Sequence, residues 1–164
     1  MKNILPYNQK QAVTYAYEYA FKRNPAFSDF TQIGGNCTNF VSQCLHAGEA
    51  PMNFSYPFGW YYKSLNNRSP SFTGVEYLYS FLTRLDYTKG PFAKAVAVED
   101  AELGDIIQLS FDGESFGHSL LVTKLNPKNP SNPYLTTNTF DALDKPLKEY
   151  VYVDVRALHV MGAR

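Results

Sequence analysis

The hydrophobic periodicity of this chain changes once, at Gly90-Pro91, and that change limits the folds open to it. Before it, apolar residues recur at helical spacing. Tyr7 to Arg23 carries Ala12, Val13, Ala16, Tyr19, Ala20 and Arg23 at spacings that put them on one face, and Pro25 closes it. A second helix is predicted from Cys37 through Phe40, Val41, Cys44 and Leu45 to Gly48, with Pro51 beyond. A third opens on the capping box Thr73-Gly74-Val75-Glu76 and continues through Leu78, Tyr79, Leu82 and Leu85. Residues 49–70, aromatic and rich in turn formers, read as an irregular ordered loop. After Gly90-Pro91, β-branched and aromatic runs follow at 95–98, 105–111, 118–125, 134–139 and 150–155, separated by turn clusters such as NPKNPSNP at 126–133. Helices first and strands second predict one α+β domain over residues 1–164, its N-terminal helices packed on a C-terminal antiparallel sheet.

Composition removes several functional classes. With 45% hydrophobic residues, including 13 Tyr and 12 Phe, the 164-residue chain has ample material for a core and none of the signature of disorder. Formal charge is zero, and no Lys/Arg run marks a phosphate-tracking surface, so nucleic acid is not an expected partner. No apolar run approaches the roughly 18 residues of a membrane span, and a membrane is not expected either. The N-terminus lacks a signal-peptide core. The chain therefore either works in the cytosol or is a mature or excised domain, secreted or wall-associated, two cases the sequence leaves open. It is expected to act as a monomer.

Cys37 and Cys44 are the two cysteines. On one helix they share a face but lie about 10.5 Å apart along the axis. A disulfide needs Cα atoms within about 7 Å, so the pair cannot close. No CxxC, HxxxH or HxxE occurs, and His46, His118 and His159 are scattered, so neither metal nor cofactor is expected.

The segment Gly34–Leu45, GGNCTNFVSQCL, reads instead as a mount for a nucleophile. A Gly-Gly turn leads to Asn36, a good N-cap, and Cys37 then falls in the first helical turn. Unpaired backbone N–H groups and the positive dipole end there favour a thiolate, which predicts a lowered thiol pKa. The same N–H groups, that of Cys37 above all, can receive the oxyanion formed when sulfur attacks a carbonyl. A cysteine nucleophile needs a base, and the base needs an orienter. His118, just after Gly117 at the start of the strongest strand, is the candidate base. Asn138, twenty residues on and across the 126–133 loop, is the candidate orienter, with Asp141 as its rival. Asn39 and Gln43, one helical turn apart, are polar positions that would need partners in adjacent elements.

GGNCTNFVSQCL closely resembles the nucleophile motif of the bacterial putative amidase domain family, within the broad papain-like group that includes CHAP-type cell-wall endopeptidases. Ser71-Phe72 with Val75, Leu103-Gly104-Asp105-Ile106-Ile107-Gln108 and Gly117-His118-Ser119-Leu120-Leu121-Val122-Thr123 resemble its later motifs in order. At its third station the family often has Ser-Gln-His-Thr-x-Asp, where this chain has Thr136-Thr137-Asn138-Thr139-Phe140-Asp141. The resemblance implies a papain-like fold, a Cys37–His118–Asn138 triad and a peptidoglycan amide or peptide bond as substrate. It also makes Gln32, five residues before Cys37, an oxyanion-hole candidate beside Asn36. Trp60 and Phe72, with Tyr61 and Tyr62, are the candidates to line a substrate cleft. Two other functions fit the same residues: acyl transfer or deamidation of a protein side chain, and non-catalytic binding of cell wall.

Overall fold

The computed structural model describes residues 3–164. Helices α1 (Gln9–Tyr19) and α2 (Cys37–Ala47) come first, followed by the hairpin β1–β2 (Tyr62–Ser64, Asn67–Arg68) and the short helices α3 (Pro70–Thr73) and α4 (Val75–Leu82). Six further strands follow: β3 (Pro91–Val96), β4 (Ile106–Ser110), β5 (His118–Lys124), β6 (Tyr134–Thr137), β7 (Ala142–Pro146) and β8 (Asp154–Ala163). They form one sheet in the order β3-β8-β4-β5-β6-β7, and every neighbouring pair is antiparallel. The expected α+β architecture is present.

Both faces of the sheet are covered, which explains why β4 is buried at every position and β5 at all but its last. On one face Ile106, Leu121, Leu158 and Val160 pack against Phe40, Val41, Cys44 and Leu45 of α2, with Ala12 and Ala16 of α1, small enough to let the two helices approach, behind them. Trp60, Phe72, Leu78 and Leu82 complete this core. On the other face Ile107, Leu109, Leu120, Val122, Leu135 and Ala157 lie under Leu147, Tyr150 and Tyr152 of the β7–β8 connection. Each fully buried side chain of this size contributes roughly 1.5–3 kcal/mol, so neither face is incidental.

Several boundaries differ from expectation. Helix α1 is capped by the Asn8 side chain, which accepts from Gln11 N–H, but stops at Tyr19 and not Arg23. The Asn138 side chain takes the Tyr19 carbonyl, and Arg23 turns away to Asp29 and Asp141. The capping box at Thr73 does not form. Gly74 is the N-cap of α4, Thr73 Oγ1 accepts from Arg68 Nε, and the Glu76 carboxylate reaches Phe116 N–H and Arg156. Helix α4 also ends before Leu85, which is exposed. The strand expected at 150–155 begins only at Asp154, and β7 carried no alternation by which to find it.

Candidate active site

Gly34 and Gly35 have φ of +90° and +100°, a left-handed turn that strains residues bearing a Cβ, and this turn delivers the chain into α2. Asn36 follows but does not cap the helix with its side chain, as the sequence predicted. Its Oδ1 accepts from Phe30 N–H at 3.0 Å and from Asn39 Nδ2 at 2.9 Å, while its Nδ2 donates to Asn138 Oδ1 at 2.6 Å. Its backbone N–H donates to Thr139 Oγ1. Asn36 is therefore a tie between the turn, the helix and the far end of the sheet. Asn39 also donates to Ser28 O, and Gln43 accepts from the Tyr15 hydroxyl, so both polar positions of the helix find partners in adjacent elements.

Cys37 is the first residue of α2 and is buried to 7% exposure. Burial pushes its thiol pKa up, against the lowering expected from the helix terminus. The Ser119 backbone N–H, the Thr38 hydroxyl and the Thr38 and Cys37 backbone N–H groups oppose that rise without reversing it. Thr38 Oγ1 lies 3.9 Å from Sγ. Cys44 is fully buried two turns further on, with a thiol pushed well above its usual value.

His118 and Ser119 are neighbours in β5 and so point to opposite faces of the sheet. Ser119 faces α2, its hydroxyl 3.0 Å from Thr38 Oγ1. His118 pairs in register with Leu109 and joins the other face, its imidazole between the rings of Phe111 and Tyr150. Burial, and after it the Lys145 charge, holds its pKa down at about 4, so the ring is neutral at pH 7. Among the described residues no hydrogen bond joins His118 to Cys37 or to Asn138. Asn138 is on the helix-facing side, where its amide is committed to Asn36 and to the Tyr19 carbonyl at 2.9 Å. It clamps the entrance to α2 where the sequence predicted an orienter for the imidazole. Asp141 forms a salt bridge with Arg23 at 3.0 Å.

The remaining candidates are dispersed. Gln32 is exposed in the 31–34 turn. Trp60 and Phe72, expected to line a cleft, are fully buried, tilted against each other, with Phe81 stacked on Trp60 and Phe27 on Phe72, and Tyr62 tilted against Phe72. Trp60 Nε1 donates to Ser42 Oγ. They are core. Among the described residues no three His, Cys, Asp or Glu side chains converge as metal ligands.

A polar group that sequence reasoning missed lies behind Cys37: Thr38, Ser119, Gln108, Arg156 and Glu76 form a connected set of hydrogen bonds. Its one available signal was Gln108, a glutamine in the middle of the apolar run DIIQLSF. Thr139 is a second omission.

Comparison with known proteins adds the following. Residues 6–161 match the family described as "Putative amidase domain", and the chain belongs to that family. Over 143 residues it is 36% identical to the uncharacterized protein YhbB of Bacillus subtilis (strain 168), a match covering 83% of this chain and 42% of that relative. The chain thus spans less than half the length of that protein. No solved structure matches it.

Proposed function

We propose that this chain hydrolyses an amide bond with Cys37 as nucleophile, and that its substrate is a peptide of bacterial peptidoglycan. Membership of an amidase family supports amide hydrolysis in general terms. The observation that carries the cysteine assignment is the setting of Cys37. It is the first residue of a buried helix whose entrance is tied by Asn36, Asn138 and Thr139, with N–H and O–H donors turned toward its sulfur. The likeness of GGNCTNFVSQCL to the nucleophile motif of the putative amidase domain family, which that resemblance groups with cell-wall endopeptidases, supports the substrate class.

In this mechanism the Cys37 thiol loses its proton to a base, and sulfur attacks the amide carbon. The oxyanion is received by the N–H groups of the first helical turn. The tetrahedral intermediate expels the amine, which takes up the proton, and leaves a thioester. Water then releases the carboxylic acid and restores the thiol. His118 is the proposed base. Its imidazole is neutral at pH 7, and among the described residues it makes no hydrogen bond to the sulfur, which meets the backbone N–H of the next residue, Ser119. Proton transfer needs the ring within hydrogen-bond reach of the sulfur, and His118 opens β5 directly before Ser119.

Purified sacculi incubated with the wild-type protein should release fragments with new amino termini, read by mass spectrometry. Cys37→Ser should release none, and His118→Ala far less than wild type. Release by Cys37→Ser at the wild-type rate would overturn the assignment. A mass gain of about 1 Da on a glutamine-containing protein, with sacculi untouched, would move the substrate to a protein side-chain amide.

A further inference from the structure

We infer that Gln108 is a positioning residue for Cys37: held by Arg156, it sets the direction of a buried hydrogen-bond chain that ends with a donor on the Cys37 sulfur. This deepens the proposed nucleophile role of Cys37 and rests on it for its catalytic meaning.

The direction follows from donor chemistry. Arg156 Nε can only donate, so the Gln108 atom it meets at 2.8 Å is the amide oxygen. The amide nitrogen must then face the other way. It donates to the Val75 carbonyl and, at 3.1 Å, to Ser119 Oγ. Gln108 Nε2 can only donate, so Thr38 Oγ1, 3.0 Å away, is the acceptor left among the described residues for the buried Ser119 hydroxyl proton. With Ser119 donating to it, Thr38 has Cys37 Sγ, at 3.9 Å, as the remaining partner among the described residues for its own proton. The guanidinium that starts the chain is itself fixed by Glu76 at 3.1 Å and by the rings of Tyr79 and Phe116. Gln108 and Ser119 are fully buried and Thr38 nearly so, so water does not compete for these protons. A donor directed at sulfur favours the thiolate over the thiol, and the Thr38 hydroxyl is among the groups that oppose the upward pull of burial on Cys37.

Other charged and titratable groups near α2 are committed elsewhere. On α1, Tyr15 is bonded to Gln43; Tyr7, before that helix, donates to Gly104 O and lies toward Cys44, and Asp105 is paired with His159. His118 of β5 makes no hydrogen bond to Cys37 among the described residues, and its neighbours are Phe111, Tyr150 and the Lys145 charge. Asp141, after β6, is paired with Arg23, and Arg68 stacks on Phe30. The short helix α3 brings Ser71, bonded to the Gly59 carbonyl, and no charge.

The test needs no substrate. In a Cys44→Ala background, the rate of iodoacetamide alkylation of folded protein is followed against pH. Thr38→Val removes the final donor. Gln108→Glu keeps the acceptor for Arg156 but has no N–H for Ser119, so the Ser119 and Thr38 protons turn back toward the carboxylate. Both variants should shift the midpoint up by about one pH unit, an approximately tenfold slower reaction below it. Thr38→Ser, which keeps the hydroxyl, should titrate as wild type. A wild-type midpoint in Thr38→Val, or in Gln108→Glu alone, overturns the chain. If Thr38→Val fails to fold, Thr38→Ala, which also lacks the hydroxyl, takes its place against Thr38→Ser. A shifted midpoint in a protein whose Cys37→Ser variant still cleaves sacculi would uphold the chain and remove the nucleophile assignment.

Discussion

Replacing Asn138 by alanine separates two roles for this residue that differ in what they disturb. Asn138 is 2% exposed and makes two hydrogen bonds, accepting from Asn36 Nδ2 at 2.6 Å and donating to the Tyr19 carbonyl at 2.9 Å. Alanine leaves the Asn36 amide without an acceptor in a buried place and uncovers a C-terminal carbonyl of α1. A buried donor left unpaired costs about 1–3 kcal/mol, and the half-buried carbonyl, which water can reach, costs less, giving about 3 kcal/mol together. For a chain of this size each kcal/mol moves the melting temperature by about 2–4 °C, so Tm should fall by about 9 °C. The assay is thermal melting followed by circular dichroism, with Cys37 alkylation rates taken in parallel well below the transition. A double-mutant cycle with Asn36→Ala should return a coupling of about 1–2 kcal/mol, since the two side chains touch. An orienter of the imidazole predicts a different result: Tm unchanged and kcat lowered about 10- to 1000-fold. A melting temperature within about 1 °C of wild type, with no coupling to Asn36, would refute the clamp.

Limiting iodoacetamide on folded protein at pH 9 should label Cys37 and leave Cys44 unmodified, because Cys44 is fully buried with a thiol pushed well above its usual value. Peptide mapping reads this directly, and labelling of Cys44 first would contradict the packing of α2. His118 predicts an acid-sensitive stability. Its pKa is about 4 in the folded chain against 6.5 ordinarily, so the unfolded chain takes up the proton first. Stability is complete above about pH 6.5 and is lost as pH falls toward 4. Between pH 7 and pH 5, urea melts should show wild type losing about 2 kcal/mol more than His118→Gln. A smaller loss in wild type would mean that the imidazole is charged and paired in the folded chain, as a resting ion pair with Cys37 requires.

The order of helices before strands was legible because α1 and α2 each showed a helical period, β4 and β5 each an apolar run, and the Gly90-Pro91 break was clean, whereas β7 and most of β8 showed neither. Cys37 at the head of a buried helix was legible for the same reason: Gly-Gly, Asn and an apolar 3.6-residue repeat leave little choice. The side on which His118 faces was not. Residues 118–123 are all buried, so the strand has no polar face to reveal its parity, and a one-residue difference exchanges the two faces. Asn138 was found as a position near the site, since β5 and β6 do pair across the 126–133 loop. Its partner was not, because what an amide bonds to depends on which helix ends beside it. Trp60 and Phe72 looked like cleft residues only because they sit in a segment dense with turn formers. Burial is set by what packs over that segment, here α4 and the tail after α1.

The contacts that lock the entrance to α2 have a consequence for how the protein is made. Asn36 is bonded to groups 102 and 103 positions later in the chain, and Asn138 reaches back 119 positions to Tyr19. During synthesis α1 and α2 leave the ribosome long before the β6–β7 turn exists. Until that turn arrives, Asn36 is untied and Cys37 is an ordinary solvent-reachable thiol. Loop closure over so many residues is slow compared with helix formation, so assembly of the mount is a late event. The setting of Cys37 is thus coupled to completion of the sheet, and a nascent chain carries the motif before the ties that fix its helix entrance.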